Sequence, residues 1–249
     1  MAVVKAGVFT VVKVVVYIFG IDFLAASGAN QWLLYVAGGT IILASLVAMT
    51  KDNLKARLAY STVSQLAYIV AGALLATPYG ILGSGLHIAM HAVGKITLFF
   101  CAGAIYTATH KTEISEMAGL GRKMPFTFAA FLIGSFSIIG LPPLGGLWSK
   151  WYLVIGALDA GQLFILAALM LSSLLNVAYL LPIPLRAFFG NRPPDADCPG
   201  DIAEEQSRGT IQEAPLPCLI AIGLTALGCV LLFFFPGPLF DLLIQIPLK

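Results

Sequence analysis

"HIAMHAVGKITLFF", residues 87–100, lies inside an apolar run that extends from about residue 80 to residue 108. His87, His91 and Lys95 are spaced four apart, so on a helix they stack on one face, one turn above another. An apolar helix of that length crosses a bilayer, because ~20 residues span the ~30 Å hydrocarbon core with every backbone group satisfied internally. The stretch therefore sets the fold class as all-α and membrane-embedded, with a column of titratable side chains at membrane depth.

Composition agrees. Hydrophobic residues make up 59% of the 249 residues and charged residues 10%, with a mean hydropathy of +0.93, far outside the soluble range. A net charge of +2, with no basic cluster alternating with aromatics, excludes a nucleic-acid partner. Cys101, Cys198, Cys218 and Cys229 show no metal-ligand spacing and read as inert thiols. No cofactor is expected: there is no CxxC set and no Gly-rich dinucleotide loop, and His87 and His91 are too close on one helix to clamp a haem between helices. Neither an n-region nor a small-residue cleavage site precedes the first apolar run.

Apolar runs predict about eight spans, over residues 2–19, 32–50, 58–77, 80–108, 126–141, 143–158, 161–187 and 216–235. The sixth opens with "LPPLGGLWSK", where Pro142, Pro143, Gly145 and Gly146 interrupt regular helix just before a lysine, as in a discontinuous membrane helix. Lys51, Lys55 and Arg57 follow the second span, and Lys111, Arg122 and Lys123 follow the fourth. Both loops fall on one side, which the positive-inside rule makes cytoplasmic. The segment "NRPPDADCPGDIAEEQSRGTIQEAP" holds six of the twelve acidic residues and, on an eight-span count, is a solvated connector on the opposite side.

Charge inside the spans is the main functional signal. A lysine at membrane depth costs at least ~2.5–3.5 kcal/mol, so Lys5, Lys95 and Lys150 are functional candidates. Lys13, late in the first span, can snorkel instead. No Asp or Glu occurs between Asp52 and Glu113 or between Glu116 and Asp159, so these spans bring no carboxylate to their lysines. A buried amine without a partner spends time neutral and so exchanges protons; a carboxylate from another segment or subunit is a compatible alternative. The spacing of His87 and His91 also fits two metal ligands on a helix, but no third ligand is near and Lys95 would repel a cation. Core histidines bonded to serines or backbone are a further reading; a proton relay is favoured, because histidine titrates near neutrality. Lys5 and Lys150 fall in the first and sixth spans, an odd separation that would make their helices antiparallel, as in an inverted repeat.

Polar residues in the third span, Tyr60, Ser61, Ser64 and Gln65, either line a path or anchor and cap the helix. Ser172 and Asn176 in the seventh are helix–helix contacts first and channel lining second.

"MTKDNLKARLAYSTVSQLAYI", "HIAMHAVGKITLFF" and "IIGLPPLGGLWSKWYL" resemble the antiporter-like proton-pumping subunits shared by respiratory complex I and Mrp-type cation/proton antiporters. The resemblance covers residues 1 to about 190, and "KAGVFTVVKVVVYIFG" with "HKTEISEMAGLGRKMPFTF" looks most like the D-type subunit of the Mrp antiporters. It implies channel lysines at Lys5 in a first broken helix, Lys95 on the histidine helix and Lys150 in a second broken helix, with His87 and His91 along the same path. It also implies an organisation: residues 1–57 as the end of one repeat, 58–187 as a second five-helix repeat with its break near 141–150, 188–215 as the acidic connector, and 216–249 as a peripheral span and tail. Family members are about twice as long and have a Glu upstream of the first broken helix, so the chain resembles a C-terminal half. The expected partners are further membrane subunits, including a segment that supplies a Glu opposite Lys5, together with protons, monovalent cations and the lipid of a bacterial inner membrane.

Three functions remain open. The first is a proton-conducting subunit of a sodium(potassium)/proton antiporter. The second is an antiporter-like subunit of a redox pump such as complex I, with the redox chemistry in partners. The third is a structural membrane subunit; in none of the three is the chain an enzyme by itself.

Overall fold

The computed structural model describes residues 2–28, 30–190, 211 and 213–245. Helix α1 (Ala2–Lys13) runs into a π-helical turn (Val14–Phe19), followed by α2 (Ile21–Ser27), α3 (Asn30–Thr50), α4 (Leu54–Leu74) and α5 (Pro78–Thr109). A 3-10 turn (Ile114–Met117) and α6 (Leu120–Lys123) lead to α7 (Pro125–Ile139), α8 (Gly146–Asp159), α9 (Leu163–Leu180), α10 (Pro182–Phe189), α11 (Leu216–Phe234) and α12 (Gly237–Ile244). Among the described residues the only β-pairing is an isolated bridge between Asn53 and Glu113.

Start signals lie where the physics requires them. The Asn53 side chain accepts from Ala56 N–H to open α4, and the Thr77 hydroxyl accepts from Gly80 N–H to open α5 with Pro78 in its first turn. Among the described residues, four helices are long and apolar enough to cross a membrane by themselves: Asn30–Thr50, Pro78–Thr109, Leu163–Phe189 and Leu216–Phe234. Helix α4 has comparable length, but Ser61, Ser64 and Gln65 lie inside it and lower its hydropathy.

The expected fifth and sixth spans are the two halves of one crossing. Helix α5 runs the length of the bundle, and α7 followed by α8 packs antiparallel along it: Gly134 against Leu98, Ser149 against His87, Leu153 against Gly83 and Gly156 against Gly80. Glycine permits the close approach, since a Cβ on Gly83 would stand 2.8 Å from the Leu153 nitrogen. The halves, 15 and 14 residues long, read as two short spans only because Pro and Gly separate them.

Two expectations change as a result. Counting the interrupted helix once puts the described flanks of the acidic connector at the same end as the basic loops, not the opposite one. The connector itself, with Cys198, lies mostly outside the described residues, but both flanks are placed. Arg122 Nε donates to the Phe188 carbonyl at 3.3 Å, and Glu213 accepts from Phe126 N–H at 2.7 Å. That end, with residues 50–53, 110–124 and 190, is the basic face of the bundle. Helices α1 and α8 also run parallel: near the start of α1 the Lys5 ammonium reaches the Ile88 carbonyl, and near its end Val12 and Lys13 line a pocket together with Ile81 and Gly85 of α5. The direction of Lys5 relative to Lys150 is thus not that of an inverted pair.

Helix α11 is more than peripheral cover. Its Cys229 carbonyl accepts from Gly145 N–H at 3.1 Å and its Phe233 carbonyl accepts from Trp148 Nε1 at 3.1 Å, which satisfies backbone and indole at the break. A second packing centre joins α3, α4 and α9, where Ser45, Ser64 and Ser172 meet at 2.7 to 3.2 Å.

Candidate functional site

The column on α5 faces inward. His87, His91 and Lys95 are all buried, and the partners of His87 and Lys95 come from α4 and α8. His87 Nδ1 stands 2.9 Å from Ser149 Oγ on α8, and its Nε2 stands 3.1 Å from Gln65 Oε1 on α4. Both nitrogens are thereby held in a fixed ring orientation. The His91 ring stacks on His87 with centroids 5.6 Å apart, and neither of its nitrogens has a hydrogen-bond partner among the described residues. A buried imidazole without partners is costly and points to a group it exchanges with.

Lys95 Nζ donates to Ser61 Oγ at 2.7 Å and to the Leu58 carbonyl at 3.3 Å, both on α4. Lys150 Nζ donates to the Ile139 carbonyl at 3.0 Å and to Ser173 Oγ at 3.0 Å, and it sits over the Tyr68 ring at 5.3 Å. The Ile139 carbonyl belongs to the last turn of α7, where the interruption leaves carbonyls unpaired and the helix dipole is negative. A cation is the natural cap there. Gly140, at φ +90, ends α7 and lets the lysine stem pass, since a Cβ would lie 2.9 Å from Lys150 Cδ. Among the described residues these ammonium groups meet carbonyls and hydroxyls, with no carboxylate against them.

Lys5 is half-buried and approaches α5 from outside the column, where Nζ donates to the Ile88 carbonyl at 3.3 Å. It shares the depth of the histidines but not their face. Lys13 is exposed over the Phe9 ring.

Residues grouped together in the sequence of α4 separate in space. Ser61 and Gln65 reach Lys95 and His87, Ser64 turns to the serine trio with Ser172, and Tyr60 is exposed beneath Lys51. Asn176 is buried and accepts from the Tyr179 hydroxyl.

Four residues join the site that sequence reasoning passed over: Tyr68, Ser149, Ser173 and Tyr179. Tyr68 stacks on His87 with centroids 5.6 Å apart, while its hydroxyl donates to the Leu169 carbonyl at 3.0 Å and lies 3.4 Å from Ser173 Oγ. The helical spacing of Ser61, Gln65 and Tyr68 was the available signal, because the three occupy one face. A run of polar side chains, all buried except the half-buried Ser173, thus extends from Lys150 through Ser173, Tyr68, His87 and His91 towards Lys95.

Comparison with known proteins identifies relatives of the chain as a whole. The chain is 36% identical over 219 residues to the N-type subunit of the NADH-quinone oxidoreductase of Desulforudis audaxviator, covering 86% of this chain and 43% of that protein. It is 29% identical over 242 residues to the D-type subunit of the Na(+)/H(+) antiporter of Alkalihalophilus pseudofirmus, covering 97% of this chain and 46% of that one. A component of the Mrp complex from Dietzia sp. DQ12-45-1b shares its fold, with a TM-score of 0.80 at 22% identity, over 96% of this chain and 50% of that chain. The chain therefore spans about half the length of the curated relatives it matches. The family model described as NADH:quinone oxidoreductase/Mrp antiporter, transmembrane, matches residues 1–176, and the chain belongs to that family of antiporter-like membrane proteins.

Proposed function

We propose that the chain is a proton-translocating part of a multisubunit monovalent cation (sodium or potassium)/proton antiporter. In this reading Lys150, His87, His91 and Lys95 pass protons laterally through the bundle, with water between them, and Lys5 connects the path to a neighbouring segment that presents a Glu. The observation that supports it most directly is the buried column itself: lysines at both ends, and between them His91 with both nitrogens free of partners among the described residues. Likeness to the D-type antiporter subunit over nearly the whole chain supports the cation-exchange assignment. Further membrane subunits and a bacterial inner membrane belong to the same proposal.

Lys150→Ala in the assembled complex tests it. The substitution leaves the Ile139 carbonyl and a small void but removes a titrating amine. Coupled proton flux in vesicles should fall at least about hundredfold with the complex still assembled, and flux at the wild-type level would refute the proposal. Lys150→Arg should fail as well, since a guanidinium does not release its proton in the working range.

A second reading is supported by the higher identity to the N-type subunit of NADH-quinone oxidoreductase. There the same path would be driven by redox partners. Purifying the native complex and asking whether proton movement follows added sodium or added NADH separates the two.

A further inference from the structure

Lys95 ends the column, and its own hydrogen bonds lead away from the histidines to α4. Ser61 Oγ, which accepts from Lys95, lies 2.8 Å from the Tyr179 hydroxyl, and that hydroxyl also meets Asn176 Oδ1. Ser61, Asn176 and Tyr179 are each no more than 1% exposed. The Asn176 Nδ2 donor has no partner among the described residues, an orphan in a fully buried place.

Tyr179 is also the point where α9 meets the basic face. Its carbonyl accepts from Arg57 Nη1 at 3.2 Å, while Arg57 Nε donates to the Lys51 carbonyl at 2.8 Å and Nη2 reaches the Met49 carbonyl at 3.5 Å. These carbonyls lie at the C-terminal ends of α3 and α9, where a fixed cation is stabilised by both helix dipoles. The guanidinium holds the last turn of α9 against the first turn of α4 and so fixes Tyr179 opposite Ser61. The backbone of Tyr179 thus lies against the basic face, while its hydroxyl is buried beside Ser61, on the way to the membrane-depth lysine.

We infer that Ser61 and Tyr179 form a proton-transfer branch between Lys95 and the basic face, with the Tyr179 hydroxyl as its last protein group and the free Asn176 amide positioning the water that receives the proton. The inference rests on the proposed proton path and adds its connection to one side of the membrane. In the release direction a Lys95 N–H bond breaks and its proton joins Ser61 Oγ. The Ser61 hydroxyl, which at rest accepts from both Lys95 and Tyr179, passes its own hydrogen to the Tyr179 oxygen, and the Tyr179 hydrogen leaves Asn176 Oδ1 for water, giving hydronium, a neutral amine and two intact hydroxyls. Loading is the reverse. Arg57 is a positioning residue, whose permanent charge also opposes entry of a proton while Lys95 is charged.

Tyr179→Phe keeps the ring and removes the hydroxyl. In vesicles carrying the assembled complex it should slow coupled transport about tenfold and raise the ratio of rates in H2O and D2O, because proton release becomes limiting. Lys95→Ala with normal transport would overturn the underlying path. Abolition by Lys95→Ala together with a wild-type rate in Tyr179→Phe would overturn the branch alone, as would a slowed Tyr179→Phe with an unchanged isotope ratio. If Tyr179→Phe does not assemble, Ser61→Ala, which deletes a single oxygen, is read in the same way. Failure of both to assemble would mark the cluster as structural and end the inference.

Discussion

Lys150 and Lys95 occupy two differently built sites in one bundle. Around Lys150 the backbone makes the site: α7 stops at Gly140, its terminal Ile139 carbonyl is left over, and the ammonium takes it. Around Lys95 both helices are continuous, so the nearest acceptors are the Ser61 hydroxyl and a Leu58 carbonyl that Thr62 also uses. An interrupted helix can thus hold a buried cation with main chain alone, whereas an intact one needs a side chain to do so. The first kind of site resists side-chain substitution, and the second does not.

The sharpest way to break the comparison is to displace one site and leave the other. Gly156 packs on Gly80, and a Cβ there would lie 2.5 Å from the Gly80 nitrogen. Gly156→Leu forces α8 off α5 and carries Lys150 and Ser149 away from His87, while Lys95 keeps Ser61. We expect loss of at least about 3 kcal/mol of stability, at the upper end of what overpacking costs, and a large drop in assembled complex on native gels. Unchanged assembly would mean that the glycine contact is not a constraint.

Next in size is the difference between the two hydroxyls. Ser61→Ala should lower transport about tenfold, since a hydrogen bond to a charged group is worth about 1.5–3 kcal/mol and Lys95 has no free helix terminus to replace it. Ser173→Ala should lower it about threefold or less, because Lys150 retains the Ile139 carbonyl. Equal effects measured side by side in vesicles would erase the distinction between a backbone site and a side-chain site.

How much of this was written in the sequence depends on the range of the interaction. The four-residue spacing of His87, His91 and Lys95 is local, so the column and its single face were legible. So was a break before Lys150, because Pro142 and Gly145 act on their own backbone. The number of crossings was not. Each half of α7–α8 is apolar and nearly long enough to be a short span, and only packing along the whole of α5 shows that they share one crossing. Taken as two separate crossings, the halves would put the connector's described flanks at the opposite end from where they lie. Tyr68 and Tyr179 were passed over because an aromatic in an apolar helix reads as packing, and their hydroxyl partners on other helices lie about a hundred residues away in sequence. Ser64 and Gln65 are adjacent in the chain yet diverge to different clusters, which a linear pattern cannot separate.

His91 distinguishes a functional from a packing role with a smaller change. Leucine has a similar volume, and it removes two buried nitrogens that have no partners among the described residues. His91→Leu should therefore leave the melting temperature of the complex unchanged or raise it, since an unsatisfied buried polar group costs about 1–3 kcal/mol. Transport should slow with an altered pH dependence. A lower melting temperature with normal transport would make His91 an ordinary core histidine.

The smallest expected effect concerns how the broken helix begins. Helices α4 and α5 carry their own caps in Asn53 and Thr77, but Met124, which precedes α7, offers no side-chain acceptor. Glu213, far along the chain, supplies it: Oε1 accepts from Phe126 N–H at 2.7 Å and Oε2 accepts from the Thr127 hydroxyl at 2.7 Å. A carboxylate at a helix N-terminus is also favoured by the dipole. The acidic connector is thereby fastened to the half-helix whose other end receives Lys150, so α7 carries an anion at its start and a cation at its finish. Glu213→Ala should cost about 0.5–2 kcal/mol, as for loss of an ordinary cap, with transport nearly normal because Lys150 still holds Ile139. Glu213→Gln, which keeps an acceptor oxygen but not the charge, should recover about half of that stability. If thermal unfolding of the complex is the same for Glu213→Ala and wild type, the contact does not cap α7, and the interrupted crossing is held from the side of α5 and α11 alone.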